Sequence, residues 1–283
     1  MTAPPDPLVS TAWLSREKRQ PDLKIIDAPF YFPGDLRTPQ SAYARMHIPR
    51  AVLFDLEEVS DRASSLPHMI AKPEDFARAV GAMGIGDDDR VVVYDHLGVM
   101  SAARVWWNFR VMGHEQVYVL DGGLPRWYRE ARPTEDGFPP EPEPKIFTPR
   151  YRPELVRHLD QLKAAMAEGV QVVDARPAPR FRGLEPEPRP DVPAGHIPGS
   201  HNVPHASLLS DGLMLSPMDI EAHFRAAGVD PDKPVIATCG SGVTAATVAL
   251  ALARLGHWDT PVYDGSWTEW ATQKNAPIAK GTG

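Results

Sequence analysis

The chain has 283 residues, of which 42% are hydrophobic and 24% charged, and its formal net charge is -7 at pH 7. These totals are typical of a soluble globular protein that is long enough to form two domains. They disfavour a nucleic-acid-binding protein, because contacts with phosphates require a basic face. No run of about 18 apolar residues is present to span a bilayer. The first residues lack the pattern of a secretory signal, so we expect a cytoplasmic protein with no membrane partner.

Strand and helix patterns alternate in the first half of the chain. Short apolar, β-branched runs predict strands at 23–28, 90–95 and 116–123. Residues 73–84, which lie between two of these runs, have apolar positions at helical spacing. Residues 1–131 are therefore predicted to form one domain.

A proline-rich segment follows this first domain. Residues 132–145, with the sequence RPTEDGFPPEPEPK, contain five prolines and several acidic residues. Such a composition disfavours both a helix and an inner strand. We therefore predict a semi-rigid linker at 132–150.

The second half, residues 151–283, repeats the alternation. Its apolar, β-branched runs predict strands at 170–175, 234–239 and 260–266. A helix is predicted at 216–228, with Ser216 as its N-cap and Gly228 as its C-cap. Strands that alternate with helices predict an α/β fold in which a parallel sheet is covered on both faces.

The two halves also resemble each other in sequence. Three pairs of segments match: 47–55 with 196–204, 91–105 with 235–249, and 119–127 with 262–270. The starting positions differ by 149, 144 and 143, so a unit of about 145 residues occurs twice. This period is far longer than that of a solenoid repeat, and it indicates a duplicated domain.

Cys239 is the only cysteine of the chain, and it lies between a predicted strand and a strongly helical run. One cysteine excludes an internal disulfide and a cysteine-based zinc site, and we expect neither a metal nor a cofactor. Gly240 and Gly242 permit a turn that directs successive backbone N–H groups to one side, where they stabilise a thiolate. The alternative is a small buried core residue. That alternative is disfavoured by Asp95 at the matching position of the first half, because a core site does not readily accept a carboxylate.

The duplicated unit, with CGSGVT at 239–244 and an aspartate at the paired site, resembles the tandem-domain rhodanese sulfurtransferases from about Leu8 to Trp270. This resemblance implies two tandem rhodanese-like domains, each a parallel sheet flanked by helices, of which only the second is catalytic. The loop is similar to that of the members that use 3-mercaptopyruvate. It implies that sulfur passes from 3-mercaptopyruvate through a persulfide on Cys239 to cyanide or to a thiol acceptor, such as thioredoxin or a small thiol, while pyruvate leaves.

The resemblance also implies which residues bind the substrate. Arg180 and Arg189 match the family's arginines for the carboxylate and the keto oxygen, and a guanidinium suits a carboxylate bidentately. Surface solvation is the alternative for either arginine. Arg182 is interpreted as structural. The rest of the loop is expected to contact the substrate through Gly240, Gly242, Val243 and Thr244.

A proton relay is the third implication of the resemblance. His68 matches a family histidine that acts with the loop serine, here Ser241, and with an acid. That acid is normally aspartate, whereas this chain has Glu57. The alternatives are a hydrogen-bonded interface histidine for His68 and a turn serine for Ser241.

Other histidines and charged residues are predicted to be structural. His47 and His196 lie in paired HIP motifs, and only one of the two copies has a thiol, so a catalytic role is disfavoured. Asp61 and Arg62 are expected to form an ion pair that braces their loop.

Three other functions remain open from the sequence. A thiosulfate:cyanide sulfurtransferase would have the same fold and nucleophile, but its members typically carry Arg and Lys after the cysteine, where this chain has Gly240 and Ser241. A cysteine phosphatase is disfavoured because Ala245 occupies the position of its arginine. A non-enzymatic sulfur carrier would receive its persulfide from a partner enzyme.

Overall fold

The computed structural model describes residues 6–32 and 34–282. The first unit contains a parallel sheet in the order β1-β5-β4-β2-β3. Its strands are β1 (Leu8–Val9), β2 (Leu23–Asp27), β3 (Ala51–Leu53), β4 (Arg90–Tyr94) and β5 (Val117–Leu120). The helices of this unit are α1 (Thr11–Glu17), α2 (Pro39–Arg45), α3 (Pro73–Ala82), α4 (Ser101–Val111) and α5 (Gly123–Arg129).

The second unit repeats this topology, with a parallel sheet in the order β6-β12-β11-β7-β8. Its sheet strands are β6 (Val156–Arg157), β7 (Gln171–Asp174), β8 (His201–Asn202), β11 (Val235–Thr238) and β12 (Val262–Tyr263). Its helices are α6 (Leu159–Ala167), α7 (Ala178–Phe181), α8 (Pro217–Ala226), α9 (Ala245–Arg254) and α10 (Ser266–Thr272). Both sheets are flanked by helices, so the predicted α/β class and the tandem arrangement are confirmed.

The predicted helix in the second unit begins as expected. The Ser216 hydroxyl accepts a hydrogen bond of 3.2 Å from the backbone N–H of Asp219. At the other end, the C-cap of α8 is Ala227, so the prediction for Gly228 was wrong by one residue. Gly228 follows the cap with φ +78, a left-handed conformation that glycine adopts without steric cost.

A short antiparallel hairpin was not predicted from the sequence. It consists of β9 (Leu209–Ser210) and β10 (Leu213–Met214), and it packs against the first unit. The backbone N–H of Met214 donates to Asp121 at 2.9 Å. In the opposite direction, the N–H of Ile70 in the first unit donates to Asp264 of the second at 2.7 Å. Each unit therefore extends a segment to the carboxyl edge of the other unit's sheet.

The segment 132–150 contains neither helix nor strand, as its prolines predict. It is packed on the first unit rather than extended into solvent. Phe147 is buried in the hydrophobic core, and the Lys145 ammonium contacts the Asp89 carboxylate at 2.7 Å. These contacts make the segment part of the first unit's surface.

The helices that follow the two central strands, α4 and α9, pack against each other. Every residue of α4 is buried, and so is every residue of α9 except Arg254. A single hydrophobic cluster contains residues from both helices and from both sheets. Helices that are buried on all sides must be surrounded by protein, so each unit completes the core of the other.

Candidate active site

Cys239 directly follows β11 at the carboxyl edge of the second sheet, where ligands gather in open α/β folds. The thiol residue is 2% exposed and lines a cavity of about 170 Å³. Its backbone N–H donates to the Ser266 hydroxyl at 3.2 Å, which fixes the start of the loop. The first unit contributes Phe30 and Phe32 to the cavity wall. The cavity therefore lies between the two units.

The corresponding loop of the first unit shows what this backbone conformation binds. The buried carboxylate of Asp95 accepts hydrogen bonds of 2.6 to 3.0 Å from four backbone N–H groups of its own loop. The donors are Leu97, Gly98, Met100 and Ala102. Successive N–H groups that converge on one point form an anion-binding nest. The loop is thus built to hold a negative charge at the position that Cys239 occupies in the second unit.

In the second unit, three of the four equivalent donors, Ser241, Gly242 and Thr244, have no acceptor among the described residues, whereas the fourth, Ala246, donates to the carbonyl oxygen of Val243 at 3.3 Å. Across residues 6–32 and 34–282, no acceptor is found for the N–H groups of residues 240–244. Gly242 has φ +79, and a Cβ there would lie 2.9 Å from the carbonyl oxygen of Asp264. Gly240 lies so close to Arg180 that a Cβ would be 3.1 Å from its guanidinium. Gly242 is required by its backbone conformation and its close contacts, whereas a side chain at Gly240 would only displace the Arg180 guanidinium. The unpaired N–H groups are suited to an anionic sulfur.

The structure brings Ser241, His68 and Glu57 together. The Ser241 Oγ lies 3.0 Å from His68 Nδ1, and His68 Nε2 lies 2.6 Å from Glu57 Oε1. This hydrogen bond to His68 lowers the pKa of Glu57, so the carboxylate is ionised at neutral pH and accepts a hydrogen bond from Nε2–H. In the tautomer that carries its proton on Nε2, Nδ1 is the acceptor for the serine hydroxyl. The longer glutamate side chain therefore reaches the histidine.

Arg180 and Arg189 both line the cavity, but they differ in whether the guanidinium has an acidic partner. The guanidinium of Arg180 is paired with the buried carboxylate of Glu187, which also contacts Arg176 at 2.8 Å. Within the described part of the chain, no acceptor and no acidic partner is found for Arg189. Burial lowers the pKa of Arg189, while the nearby Glu57 and Cys239 act in the opposite direction. Arg189 is therefore the guanidinium that is free to bind a carboxylate.

Several residues of this region were missed by the sequence analysis. His205, Phe30, Phe32 and Arg176 line the cavity, although none belongs to a recognisable motif. Their only sequence signal is position, because each lies shortly after a strand of one of the two sheets. Arg104 also reaches the loop, where it donates to the carbonyl oxygen of Gly242 at 3.1 Å.

The histidines of the HIP motifs lie outside the cavity lining. The His47 ring stacks on Tyr43 with centroids 4.0 Å apart, and the His196 ring stacks on Phe181 at 3.8 Å. Each Nδ1 also contacts the carbonyl oxygen of that same aromatic residue. These equivalent contacts in both units support a structural role.

The prediction of an ion pair between Asp61 and Arg62 was wrong. Arg62 instead contacts Glu58 at 2.5 Å. Asp61 accepts a hydrogen bond from the N–H of Ala63. Arg182 lies outside the cavity lining.

The class of the protein follows from the duplicated sheet and the loop that carries the thiol. The family model of the Rhodanese-like domain matches residues 10–130 and 158–273, and the chain belongs to this family. It is 45% identical to thiosulfate/3-mercaptopyruvate sulfurtransferase 1, mitochondrial, of Arabidopsis thaliana, over 96% of this chain and 78% of that protein. It is 42% identical to the 3-mercaptopyruvate sulfurtransferase of Escherichia coli K12, over 95% of this chain and 96% of that protein.

A solved structure agrees with these relatives. The crystal structure of SseA from Escherichia coli, described as a 3-mercaptopyruvate sulfotransferase, superimposes with a TM-score of 0.84 and 40% sequence identity. The match covers 92% of this chain and 98% of that chain. Among the described residues, no helix is both long and apolar enough to cross a membrane.

Proposed function

We propose that this protein is a sulfurtransferase that moves sulfur from 3-mercaptopyruvate through a persulfide on Cys239 to a thiol acceptor or to cyanide, with release of pyruvate. One observation carries the proposal: a single thiol in an anion-binding loop shares a cavity of about 170 Å³ with the free guanidinium of Arg189. Such a cavity suits a small donor that has a sulfur at one end and a carboxylate at the other. The names and the coverage of the relatives support the same reaction.

In the first half of the reaction, the Cys239 thiolate attacks the sulfur of the donor. A sulfur–sulfur bond forms, the carbon–sulfur bond breaks, and its electron pair remains on the carbon as the enolate of pyruvate. Arg189 holds the carboxylate bidentately, and Arg180 contributes to holding the keto oxygen. Ser241, which is oriented by His68 and Glu57, delivers the proton that converts the enolate to pyruvate.

In the second half, an external thiolate attacks the outer sulfur of the persulfide. Cys239 leaves as a thiolate, and the free N–H groups of residues 240–244, including Val243 and Thr244, stabilise it. Thioredoxin or a small thiol is the proposed acceptor, and cyanide serves in an assay. The acceptor thiol loses its proton when it becomes the attacking thiolate, and this proton replaces the one that Ser241 gave to the enolate, so the cycle balances with the donor and the acceptor alone.

We place the reaction in the cytoplasm, where cysteines are kept reduced. The proposed domain division is 1–131 for the domain without a catalytic cysteine, 132–150 for the linker and 151–283 for the catalytic domain. The absence of helix and strand at 132–150 supports this division. Because Glu57 and His68 come from the first domain, both domains are needed for activity.

Intact-mass measurement tests the proposal. The wild-type protein incubated with 3-mercaptopyruvate should gain one sulfur atom, and Cys239→Ser should gain none. Arg189→Ala should raise the KM for 3-mercaptopyruvate about 10- to 100-fold, because a charge-assisted hydrogen bond contributes about 1.5–3 kcal/mol. A sulfur carrier would form the persulfide only with a partner enzyme and would tolerate Arg189→Ala. An unchanged mass of the wild type would contradict the proposal. Faster turnover with thiosulfate than with 3-mercaptopyruvate would identify thiosulfate as the preferred donor.

A further inference from the structure

Arg104 lies in α4 of the first domain but contacts the active site of the second. Its side chain is completely buried. One terminal nitrogen donates to the carbonyl oxygen of Gly242 at 3.1 Å, and the other donates to the carbonyl oxygen of His68 at 2.7 Å. That second nitrogen also contacts the Asp264 carboxylate at 2.7 Å. One guanidinium therefore joins the Cys239 loop, the His68 segment and the turn that follows β12.

The Arg104–Asp264 pair binds the backbone at His68 and again two residues later, at Ile70. Arg104 binds the His68 carbonyl oxygen, and the other oxygen of Asp264 accepts from the N–H of Ile70 at 2.7 Å. His68 itself has φ +58, in the left-handed region that is unfavourable for a residue with a side chain. Such a conformation costs on the order of 1–3 kcal/mol and persists only where the surroundings impose it. These two hydrogen bonds impose it here.

The duplication shows that the fold does not require the arginine. In the alignment of the repeats, Val248 of α9 takes the place of Arg104, and it is fully buried among apolar residues. Asp121, the counterpart of Asp264, binds the N–H of Met214; Arg126 and Arg254 lie nearby, but among the described residues neither donates a hydrogen bond to its carboxylate. A buried ion pair is also seldom more stabilising than an apolar pair of similar volume. Of the two equivalent positions, only the one that contacts the thiol loop has an arginine.

We propose that Arg104 and Asp264 are positioning residues for sulfur transfer. They fix the His68 segment relative to the Cys239 loop, so that the Ser241 hydroxyl stays 3.0 Å from His68 Nδ1. The proposal rests on the proposed function, because it assigns the pair to the proton delivery of that reaction. The pair acts through Ser241 and His68 and does not contact the donor.

Steady-state kinetics of the full-length variant Arg104→Lys tests this role. Lysine keeps the charge beside Asp264 but cannot reach three acceptors in a fixed fork. The kcat for 3-mercaptopyruvate should fall about 10- to 100-fold, the size of effect expected from a displacement of about 1 Å in a catalytic group. KM should change less than threefold, because Arg180 and Arg189 are untouched.

Arg110→Lys is the matched control. Arg110 lies in the same helix, is 6% exposed, and packs on Trp258 of the second domain, away from the thiol loop. Arg110→Lys should lower the melting temperature by about as much as Arg104→Lys does, but it should retain the kcat of the wild type. An equal loss of kcat in the two variants would show that Arg104 has only a structural role and would overturn the proposal.

A double-mutant cycle separates positioning from stability. In a Ser241→Ala background, Arg104→Lys should lower the kcat less than threefold, since the group that it positions is absent. A loss of the same factor as in the wild-type background would refute the proposal. Amide hydrogen exchange at 66–70 and 239–244 gives a readout that needs no donor, and it should accelerate in Arg104→Lys but not in Arg110→Lys. If the wild type turned over neither 3-mercaptopyruvate nor thiosulfate, the proposed function would fail. Unchanged exchange in Arg104→Lys would separately refute the positioning role of Arg104 and Asp264.

Discussion

The imidazole of His205 lines the catalytic cavity without a hydrogen bond to either ring nitrogen among the described residues. Burial lowers the pKa of His205 to about 4, although the nearby Asp95 carboxylate acts in the opposite direction. The ring is therefore neutral at pH 7, and it adds a polar, uncharged group to a cavity that is also lined by Arg176, Arg180 and Arg189. Because the ring is neutral, it does not change the net charge of the cavity lining that an anionic donor meets.

The half-buried imidazole of His205 makes the protein sensitive to acid. Above about pH 6.5 the ring is neutral in both the folded and the unfolded chain, so it carries no penalty. As the pH falls toward 4, the unfolded chain binds the proton first, and stability is lost across that window. His205→Phe should reduce the pH dependence of the unfolding free energy between pH 7 and pH 4 by about 3 kcal/mol.

Urea denaturation at several pH values measures this difference. Phenylalanine retains most of the ring volume, so the variant should fold at neutral pH. The pKa of His114 is also lowered by burial, and its contribution should remain in the variant. An identical pH dependence in the wild type and in His205→Phe would show that the ring takes up its proton without a penalty.

At the scale of elements, α9 has a glycine with positive φ near each end. Gly242 precedes the helix with φ +79, and Gly256 follows it with φ +98. A Cβ at Gly242 would lie 2.9 Å from the Arg104 guanidinium and 2.9 Å from a carbonyl oxygen, whereas a Cβ at Gly256 would have no atom within 4 Å. A side chain at either glycine would be strained by the left-handed backbone, but only at Gly242 would it also meet neighbouring atoms.

Alanine at these two positions should therefore have different effects. Gly256→Ala should lower the free energy of unfolding by about 1 kcal/mol and leave turnover unchanged, since only the left-handed conformation is disfavoured. Gly242→Ala should lose a further 1–3 kcal/mol from crowding, and turnover should fall by at least tenfold because the thiol loop must shift. Urea midpoints and turnover rates measure both effects. Equal turnover in the two variants would mean that the loop accommodates the methyl group without moving.

At the scale of the whole molecule, the features that could be predicted from the sequence are those whose residues are contiguous in the chain. The thiol loop, its paired Asp95 and the strand patterns could be read from short segments and from the repeat. The contacts of Arg104 could not, because they join residues far apart in sequence across two domains. The hairpin β9–β10 was missed because strands of two residues carry no periodicity.

The shared hydrophobic core also determines how the molecule unfolds. The helices α4 and α9 are buried almost entirely, and separation of the domains would expose both. Trp258 of the second domain packs on Trp106 of the first, with centroids 6.4 Å apart, and on the Arg110 guanidinium at 4.9 Å. The free energy of this contact is thus available only while both domains are folded, which couples their stabilities.

Trp258→Ala should consequently destabilise both sheets together. Loss of a partly buried tryptophan at this contact should cost about 2 kcal/mol, which corresponds to roughly 30-fold faster exchange of globally protected amides. Hydrogen exchange followed by mass spectrometry should show the same acceleration in β4 of the first domain and β11 of the second. Acceleration confined to β11 would mean that the domains unfold independently. The common core would then hold the domains together without joining them into one cooperative unit.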